Sequence, residues 1–528
     1  MQSQVYALLL WLAVMAAASA LAERRRWNAP ALLIGLGIAL GAVPGVPQLE
    51  IEPGLLLALV LPPLVWSDAM HTSWRDFRRW LRPILMLSVG LVAVTIASVG
   101  CVAHALCPQL PWPACFLLGA LVSPTDTVAV QAILERLHAP RRVTAILGGE
   151  SLVNDATGLV GVQVATALLL SGAFEASALW GHFARVAGLG VAVGLLIGAA
   201  LALVNRRTTN VHALFSLSLA APYLAYVLAE ELHASGILAV VVAGFLAAWN
   251  AHQLHGEARV ELDSAWRQLV FVGNSTCFLF IGVQTPQVLR AVELLEQPQL
   301  MAAGFAVTAT ALGVRVLWCS PPAVLSYFGL GRKLFQRDGL SSWRNTAIVS
   351  WAGMRGFLSL AVALALPTVG LDGQPLAWRN PVIACALVVV LGSLALQGLT
   401  LQRLVHALGV RDEDDTAGEV RRAKESLLEA GIARLDSYCS ETACPLSVHH
   451  FRVHMADELQ TLRDEDADER RSALSRMNVS RQVRLEVAAA QERALLHLRD
   501  SGRINDKTYD RLRLELDQSM LSLSREAA

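Results

Sequence analysis

Long apolar stretches alternate with short polar connectors over the first 408 residues. A helix needs about 20 mostly apolar residues to cross a bilayer, within a range of roughly 17–25. On that criterion we predict about thirteen spanning segments, which makes this region an all-α membrane protein. They lie near residues 4–22, 28–44, 55–72, 82–106, 113–134, 143–170, 180–204, 211–229, 235–250, 268–284, 299–328, 346–367 and 382–408.

The composition agrees with this interpretation and changes abruptly after Leu408. Over the whole chain 54% of the residues are hydrophobic, only 16% are charged, and the mean hydropathy is +0.48. These values are too apolar for an ordinary soluble protein. From "GVRDEDDTAGEVRRAKESLLEAG" onward the chain is charged. We therefore predict a transmembrane domain at 1–408 and a cytoplasmic helical tail at 409–528.

Basic residues alternate between the connectors in a way that orients the chain. One set of connectors carries eighteen arginines and lysines, whereas the intervening set carries only Arg185, Arg290 and Arg379. Basic residues favour the cytoplasmic side. We predict an inner (plasma) membrane protein with its N-terminus outside and its tail in the cytoplasm. The eighteen are Arg24, Arg25, Arg26, Arg75, Arg78, Arg79, Arg82, Arg136, Arg141, Arg142, Arg206, Arg207, Arg259, Arg267, Arg332, Lys333, Arg337 and Arg344.

An odd number of segments suits two inverted six-helix repeats joined by one extra helix, which is a common plan of secondary transporters. Two segments contain helix-breaking sequences at matching places. Segment 5 contains "SPTDT" and segment 12 contains "GMRGF", and each is the fifth segment of its half. We therefore expect both helices to be interrupted at membrane depth.

The interruption in segment 5 exposes oxygen atoms that suit a hard cation. Pro124 breaks the helical hydrogen bonds and frees carbonyls beside Thr125 and Asp126. Free carbonyls are tolerated at membrane depth only beside protein or a water-filled cavity. Two interpretations of Asp126 are open. It either binds a cation directly or caps the half-helix that follows, where a carboxylate is favoured.

Segment 6 carries the stretch "GGESLVNDATGLV", which places two carboxylates in an apolar background. Glu150 and Asn154 share one helix face, while Ser151 and Asp155 share the adjacent face. Such oxygens suit a dehydrated alkali cation, and the stretch has neither Cys nor His for a softer metal. Asp155 could hold a proton or a cation, but not both. The alternative is an aspartate satisfied by neighbouring amides in a polar core.

Glu150 needs a partner, because charges inside a membrane usually pair. Segment 12 offers Arg355 at mid-depth and segment 11 offers Arg315; we favour a structural Glu150–Arg355 pair. In segment 3, Asp68 is either an interfacial charge or part of the ion route. Beyond these residues we find no nucleophile–base pair, metal motif or cofactor motif, so neither an enzyme nor a cofactor is expected.

Three motifs in register resemble those of monovalent cation:proton antiporters of the sodium/proton exchanger type, in the bacterial branch. They are "SPTDTVAVQAIL", "GGESLVNDATGLV" and "WAGMRGFLSLAVALALP", and the similarity spans about residues 5–408. The resemblance implies a homodimer with a mobile core near 82–170 and 299–408, in which segments 5 and 12 are unwound and cross. It also implies an elevator-like movement. There are departures at Thr127 and Gly149.

The resemblance also assigns roles to individual residues. It implies that Asp155 binds the ion, that Asn154 is its neutral neighbour, and that Ser151 and the Thr125 carbonyl are ligands. It further implies that Asp126 is the acid of the broken helix and that Glu150 and Arg355 form the stabilising pair. The shifted acid at Ser67-Asp68 leaves the role of Asp68 open.

Together these features predict electroneutral 1:1 exchange of Na+ for H+, because cation and proton compete for a single carboxylate. The alternatives are K+/H+ antiport and a cation channel without obligatory proton coupling.

Overall fold

The structure, a computed structural model, describes most of the chain up to residue 463. It describes residues 2–463 except 26, 45–51, 127–129, 132, 135–136, 138, 172–175, 293–296, 328–342, 371–373, 411–415 and 442–444, together with scattered residues between 487 and 512. These residues are helical or irregular, apart from an isolated bridge between Val369 and Pro375.

Eighteen α-helices of this part of the chain position the features discussed below. They are α1 Gln2–Arg25, α2 Ala29–Ala42, α3 Pro53–His71, α4 Trp74–Arg79, α5 Leu81–Leu85, α6 Val92–Leu106, α7 Trp112–Val122, α8 Arg141–Ser171, α9 Ala176–Asn205, α10 Val211–Glu231, α11 Gly236–Asn250, α12 Gly256–Ala291, α13 Pro298–Tyr327, α14 Trp343–Trp351, α15 Phe357–Leu364, α16 Arg379–Leu408, α17 Thr416–Glu441 and α18 Leu446–Arg463.

The predicted all-α membrane class is confirmed. Ten helices in the described residues are long and apolar enough to cross a membrane, and α2 and α7 are shorter apolar helices. One of the ten, Leu81–Leu106, combines α5 and α6 through the π-helical turn Met86–Leu91. The total number of spans and the inverted repeats stay predictions.

Polar caps at helix starts explain where several of these helices begin. The side chain of Asn210 accepts hydrogen bonds from the backbone N–H groups of His212 and Ala213, at 3.0 and 3.2 Å. The Ser235 hydroxyl accepts one from Leu238 N–H at 3.3 Å. The first N–H groups of a helix have no partner within the helix, so such caps stabilise its start.

The two predicted interruptions are present, and they meet. Helix α7 ends at Val122, and residues 123–126 leave the helical path at Pro124. In segment 12, residues 352–356 are non-helical between α14 and α15. The backbone N–H of Asp126 donates to the carbonyl of Met354 at 2.7 Å, so the two interruptions contact each other directly.

Two glycines allow this close approach. A Cβ atom at Gly353 would overlap the side chain of Arg315, and a Cβ atom at Gly356 would overlap the side chain of Asp126. Both positions therefore need a residue without a side chain, which gives the sequence "GMRG" a steric reason.

The chain divides into two compact units, Met1–Glu413 and Asp414–Ala528. In the second unit, α17 and α18 pack against each other, and Arg452 Nε lies 2.5 Å from Asp436 Oδ1 across that pair.

Helices α2 and α12 approach at backbone distance. A Cβ atom at Gly282 would lie 2.7 Å from the Gly37 Cα atom and would overlap the carbonyl of Ile34. Contacts this short involve backbone on both sides, so a side chain would have to separate the two helices.

We expect Gly282→Ala to lower the free energy of unfolding by about 1–3 kcal/mol, because overpacking at a backbone contact has few ways to relax. The measurement is the melting temperature of the purified protein in detergent. Gly398→Ala is the matched control, since Gly398 lies within α16 with nothing within 4 Å of its added Cβ. An equal response of both variants would contradict the close contact.

Candidate functional site

A buried ion pair joins three helices in the middle of the membrane unit. Glu150 of α8 is 1% exposed and Arg315 of α13 is fully buried. Arg315 Nη1 donates to Glu150 Oε1, and Nη2 donates to Oε2 at 2.8 Å. The same guanidinium donates to the carbonyl of Val349 in α14, with Nε at 3.1 Å and Nη2 at 3.0 Å. The two-pronged geometry suits a carboxylate and a planar guanidinium.

The predicted Glu150–Arg355 pair is therefore wrong. The Arg355 side chain instead donates through Nη1 to the carbonyls of Ser123 and Pro124, at 2.5 and 3.4 Å. Carbonyls at the end of an interrupted helix lack partners within the helix, so they attract a buried guanidinium. Arg315 reaches Glu150 because Gly353 leaves room for its side chain. Sequence spacing could not show which arginine faces α8.

Three half-helices in the described part of this region, α7, α14 and α15, have an arginine beside their C-terminal ends. Arg355 donates to the Ser123 carbonyl at the end of α7, and Arg315 donates to the Val349 carbonyl near the end of α14. Arg379 donates to the carbonyl of Leu364, the last residue of α15, at 2.9 Å. A cation at this end satisfies free carbonyls and opposes the negative end of the helix dipole.

Three side chains of α8 hold Thr125 in the interruption of segment 5. The Ser151 hydroxyl donates to the Thr125 carbonyl at 3.1 Å, and Asn154 Nδ2 donates to the Thr125 hydroxyl at 2.7 Å. The Thr125 hydroxyl in turn donates to Glu150 Oε1 at 3.4 Å. The unwound backbone is thus tied to the same carboxylate that binds Arg315.

Beside this cluster lies a cavity of about 70 Å³ that Asp155 lines. The Asp155 carboxylate makes no hydrogen bond or ion pair with any other residue that the structure describes. Asp155 is partly buried and lies little more than one helical turn from Glu150. Two carboxylates of one helix therefore have opposite environments: Glu150 is neutralised, and Asp155 faces an open cavity.

Two more carboxylates line this cavity. Asp126 lies against Gly356, the residue that precedes the first turn of α15, where a helix favours negative charge. The alternative that Asp126 caps the half-helix after it concerns residues 127–129, which lie outside the described residues. Asp68 of α3 is the third carboxylate.

Asp68 also lines a second cavity of about 340 Å³, whose lining includes His71, Asp76 and Arg141. It is therefore shared by the cavity beside Asp155 and this larger cavity. In the second cavity Arg141 Nη2 lies 3.0 Å from Asp76 Oδ2. The larger cavity is polar and carries both signs of charge, as expected of an aqueous vestibule.

Most of the predicted site residues are brought together. Thr125, Asp126, Ser151 and Asp155 all line the cavity, whereas Asn154 is not in its lining and holds Thr125 instead. Sequence reasoning missed two polar lining residues, Asn274 of α12 and Ser359 of α15. Ser359 lies only four residues after Arg355, so its closeness in sequence to the interruption could have identified it as a candidate site residue. Asn274 gave no signal beyond being polar in an apolar segment.

No group of three His, Cys, Asp or Glu residues close enough to hold a metal ion occurs in the described residues. A cation in this cavity would therefore draw much of its coordination from hydroxyl and carbonyl oxygens. Those atoms suit alkali cations and not transition metals.

Comparison with known proteins identifies the family. The transmembrane family of sodium/hydrogen exchangers matches residues 10–407. This chain belongs to the sodium/hydrogen exchanger family. The membership covers nearly the whole first unit and includes all the site residues discussed above. It is a family of transporters and not of enzymes, and it carries out cation/proton antiport.

Individual relatives agree with the assignment to the bacterial CPA1 type of this exchanger family. An uncharacterized Na+/H+ exchanger of Mycobacterium tuberculosis is 31% identical over 528 residues, which cover 98% of this chain and 96% of that protein. A sodium, potassium, lithium and rubidium/H+ antiporter of Bacillus pumilus is 29% identical over 419 residues, which cover 77% of this chain and 62% of that protein.

A solved structure shows the same fold. The sodium proton antiporter MjNhaP1 of Methanocaldococcus jannaschii, determined at pH 8, superposes with a TM-score of 0.61 at 18% identity. The match covers 77% of this exchanger and 98% of that chain.

We expect Arg315→Met to destabilise this exchanger by about 3–5 kcal/mol, because it leaves Glu150 buried and unpaired. Adding Glu150→Gln should restore most of that loss, since neither charge then remains. The measurement is a double-mutant cycle on thermal or denaturant unfolding in detergent. The pairing described here would be contradicted if the interaction energy between Glu150→Gln and Arg355→Met were larger than that between Glu150→Gln and Arg315→Met.

Proposed function

We propose that this exchanger swaps one Na+ for one H+ across the bacterial inner membrane, with the two ions competing for the Asp155 carboxylate. The observation that carries the proposal is the contrast between two acids of α8. Glu150 has a permanent counter-charge in Arg315, whereas Asp155 faces the cavity with no basic partner in the described residues. A carboxylate buried in a membrane is costly unless a proton or cation neutralises it.

The one-for-one stoichiometry follows from the neighbours of Asp155. Asn154 has no titratable group, and Glu150 forms an ion pair with Arg315. Asp126 lies at the start of α15, where the helix itself offsets its charge. Asp155 is then the carboxylate whose occupant changes, so one positive charge crosses in each direction.

The surrounding residues supply the remaining oxygens. Ser151 and the Thr125 carbonyl line the cavity next to Asp155, and Asp126 contributes a further carboxylate. Asn154 acts by positioning Thr125. The Glu150–Arg315 pair keeps the interruptions in place, and Asp68 lies on the route between the ion cavity and the larger cavity.

Alternating access by an elevator movement agrees with how the cavity is bounded. Residues of α3 and α12 line one side, including Leu61, Asp68 and Asn274, while α8 and the two interruptions line the other. Sliding the second group past the first would transfer Asp155 from one aqueous side to the other. With the orientation predicted from the arginines, the larger cavity opens to the cytoplasm. The helices of the membrane domain that do not move would provide the contacts of a homodimer.

K+ is the alternative substrate. The relative from Bacillus pumilus is named for sodium, potassium, lithium and rubidium, so the family includes exchangers of broader selectivity. Hydroxyl, carbonyl and carboxylate oxygens bind each of these ions.

We expect Asp155→Asn to abolish cation-dependent proton flux in proteoliposomes, because the amide can neither release a proton nor neutralise a cation. The measurement is recovery of an internal pH indicator after addition of Na+, Li+ or K+. Glu261→Gln is the control, since Glu261 is an exposed carboxylate of α12 that lines neither cavity. Exchange retained by Asp155→Asn would refute the proposed site.

Exchange should run at the same rate whether the membrane potential is clamped or free, because no net charge moves. Lowering the pH on the cation side by one unit should raise the apparent KM for Na+, by up to about tenfold where protons saturate the carboxylate. A potential-dependent rate would contradict the one-for-one stoichiometry. Conductance without proton movement would indicate a channel.

A further inference from the structure

Three residues with hydroxyl side chains line the ion cavity, and two of these hydroxyls donate hydrogen bonds to other protein groups. The Ser151 hydroxyl donates to the Thr125 carbonyl, and the Thr125 hydroxyl donates to Glu150. The third is Ser359 of α15, which is 2% exposed. Its Oγ has no hydrogen-bond partner among the described residues.

An unpartnered buried hydroxyl is unusual in an apolar helix. Serine and threonine at such positions normally donate to the carbonyl one turn earlier. Many hydroxyls in this membrane unit do so, and five that lie within its helices donate to the carbonyl four residues earlier at 2.7 or 2.8 Å. These five are Ser88, Thr285, Thr308, Thr310 and Ser350.

The corresponding carbonyl for Ser359 belongs to Arg355, which lies in the non-helical stretch before α15, and Ser359 makes no hydrogen bond to it. Ser393 of α16 accepts from the Arg355 N–H at 3.0 Å, and its own hydroxyl proton has two acceptors in reach, the carbonyls of Val390 at 3.1 Å and Arg355 at 3.3 Å. Ser359 itself belongs to the lining of the cavity, and its buried Oγ is left without a partner among the described residues. A buried hydroxyl without a partner costs free energy, so the position favours a ligand that supplies one.

A cation in this cavity needs hard, neutral oxygens. The described residues hold no group of three acids or soft ligands able to bind a metal. Thr125 offers a carbonyl from the first interruption and Ser151 a hydroxyl from α8. Ser359 offers a hydroxyl from the half-helix that follows the second interruption. Its oxygen can bind a cation while its proton is donated to a carboxylate in the same cavity.

We propose that Ser359 Oγ is a direct ligand of the transported cation, so that each interrupted segment contributes an oxygen. This inference rests on the proposed function, since it assumes that the cation binds beside Asp155. Thr125, Ser151, Asp155 and Ser359 all belong to the group of helices that is proposed to move. The cation would therefore keep its ligands throughout the movement.

The test uses Ser359→Ala and Ser359→Cys in the full chain, reconstituted into proteoliposomes. The alanine variant removes the oxygen, and the cysteine variant keeps a similar shape but replaces a hard oxygen with a soft sulfur. We expect both to raise the apparent KM for Na+ about tenfold, the scale of one hydrogen-bond-strength contact to a charged group. Rates at saturating Na+ should change less.

A second readout does not depend on transport. Na+ that binds the folded protein stabilises it by RT ln(1 + [Na+]/Kd) and so raises its melting temperature. We expect both variants to need about ten times more Na+ for the same stabilisation in detergent. Ser350→Ala is the matched control, because Ser350 lies in the same segment outside the cavity and donates to the Thr346 carbonyl at 2.7 Å. It should leave both readouts unchanged.

A hydroxyl that merely fills space gives a different result. Removing it would leave the Na+ response unchanged and would raise stability slightly, since alanine favours helix and leaves no unpaired group. That result, with Asp155→Asn inactive, would overturn the role of Ser359 and leave the proposed function standing. An active Asp155→Asn would overturn the proposed function itself. Failure of both Ser359 variants to fold would also count against the inference, because a ligand is not required for folding.

Discussion

The ion pair between Glu150 and Arg315 is the interaction on which the rest of the membrane core depends. It places two charges where neither could remain alone, and it joins α8, α13 and, through the Val349 carbonyl, α14. A buried pair of this kind adds little net stability, but breaking it is costly. The geometry around it is therefore tightly constrained. The Thr125 hydroxyl donates to the same carboxylate, so the first interruption is positioned by this pair as well.

In the proposed mechanism, that constraint leaves one acid of α8 available for transport. Glu150 and Asp155 come from the same polar stretch of the same helix, yet one pairs with a guanidinium and the other lines a cavity. Because Arg315 satisfies the charge of Glu150, the proposal lets Asp155 change its occupant without destabilising the interruptions. The structural role and the proposed transport role thus fall to two carboxylates about one helical turn apart.

Interrupted helices leave backbone carbonyls free at membrane depth. These carbonyls carry partial negative charge, and buried arginines neutralise it. The ends of the half-helices α7, α14 and α15 each have a guanidinium beside them, from Arg355, Arg315 and Arg379 respectively. In the proposed mechanism, the cation then binds to oxygens of the lining residues Thr125, Ser151 and Ser359 and to the carboxylates. The glycines at 353 and 356 make this arrangement sterically feasible, because any side chain there would meet Arg315 or Asp126.

Much of this protein follows from the sequence alone, because a membrane leaves few choices. Helix length and apolarity are dictated by the bilayer, so the all-α membrane class was predictable, and Pro124 and the paired glycines marked both interruptions. The polar residues that gather around Asp155 were also visible, since polar groups at membrane depth are costly and few.

Tertiary structure decided which residue each of these polar side chains contacts. Both Arg315 and Arg355 are long, charged and at mid-depth, and only the packing of α13 and α8 against α14 determines that Arg315 reaches Glu150. In the same way, only the fold shows that Asn154 holds Thr125 and that Ser359 lines the cavity, because residues distant in sequence form both environments.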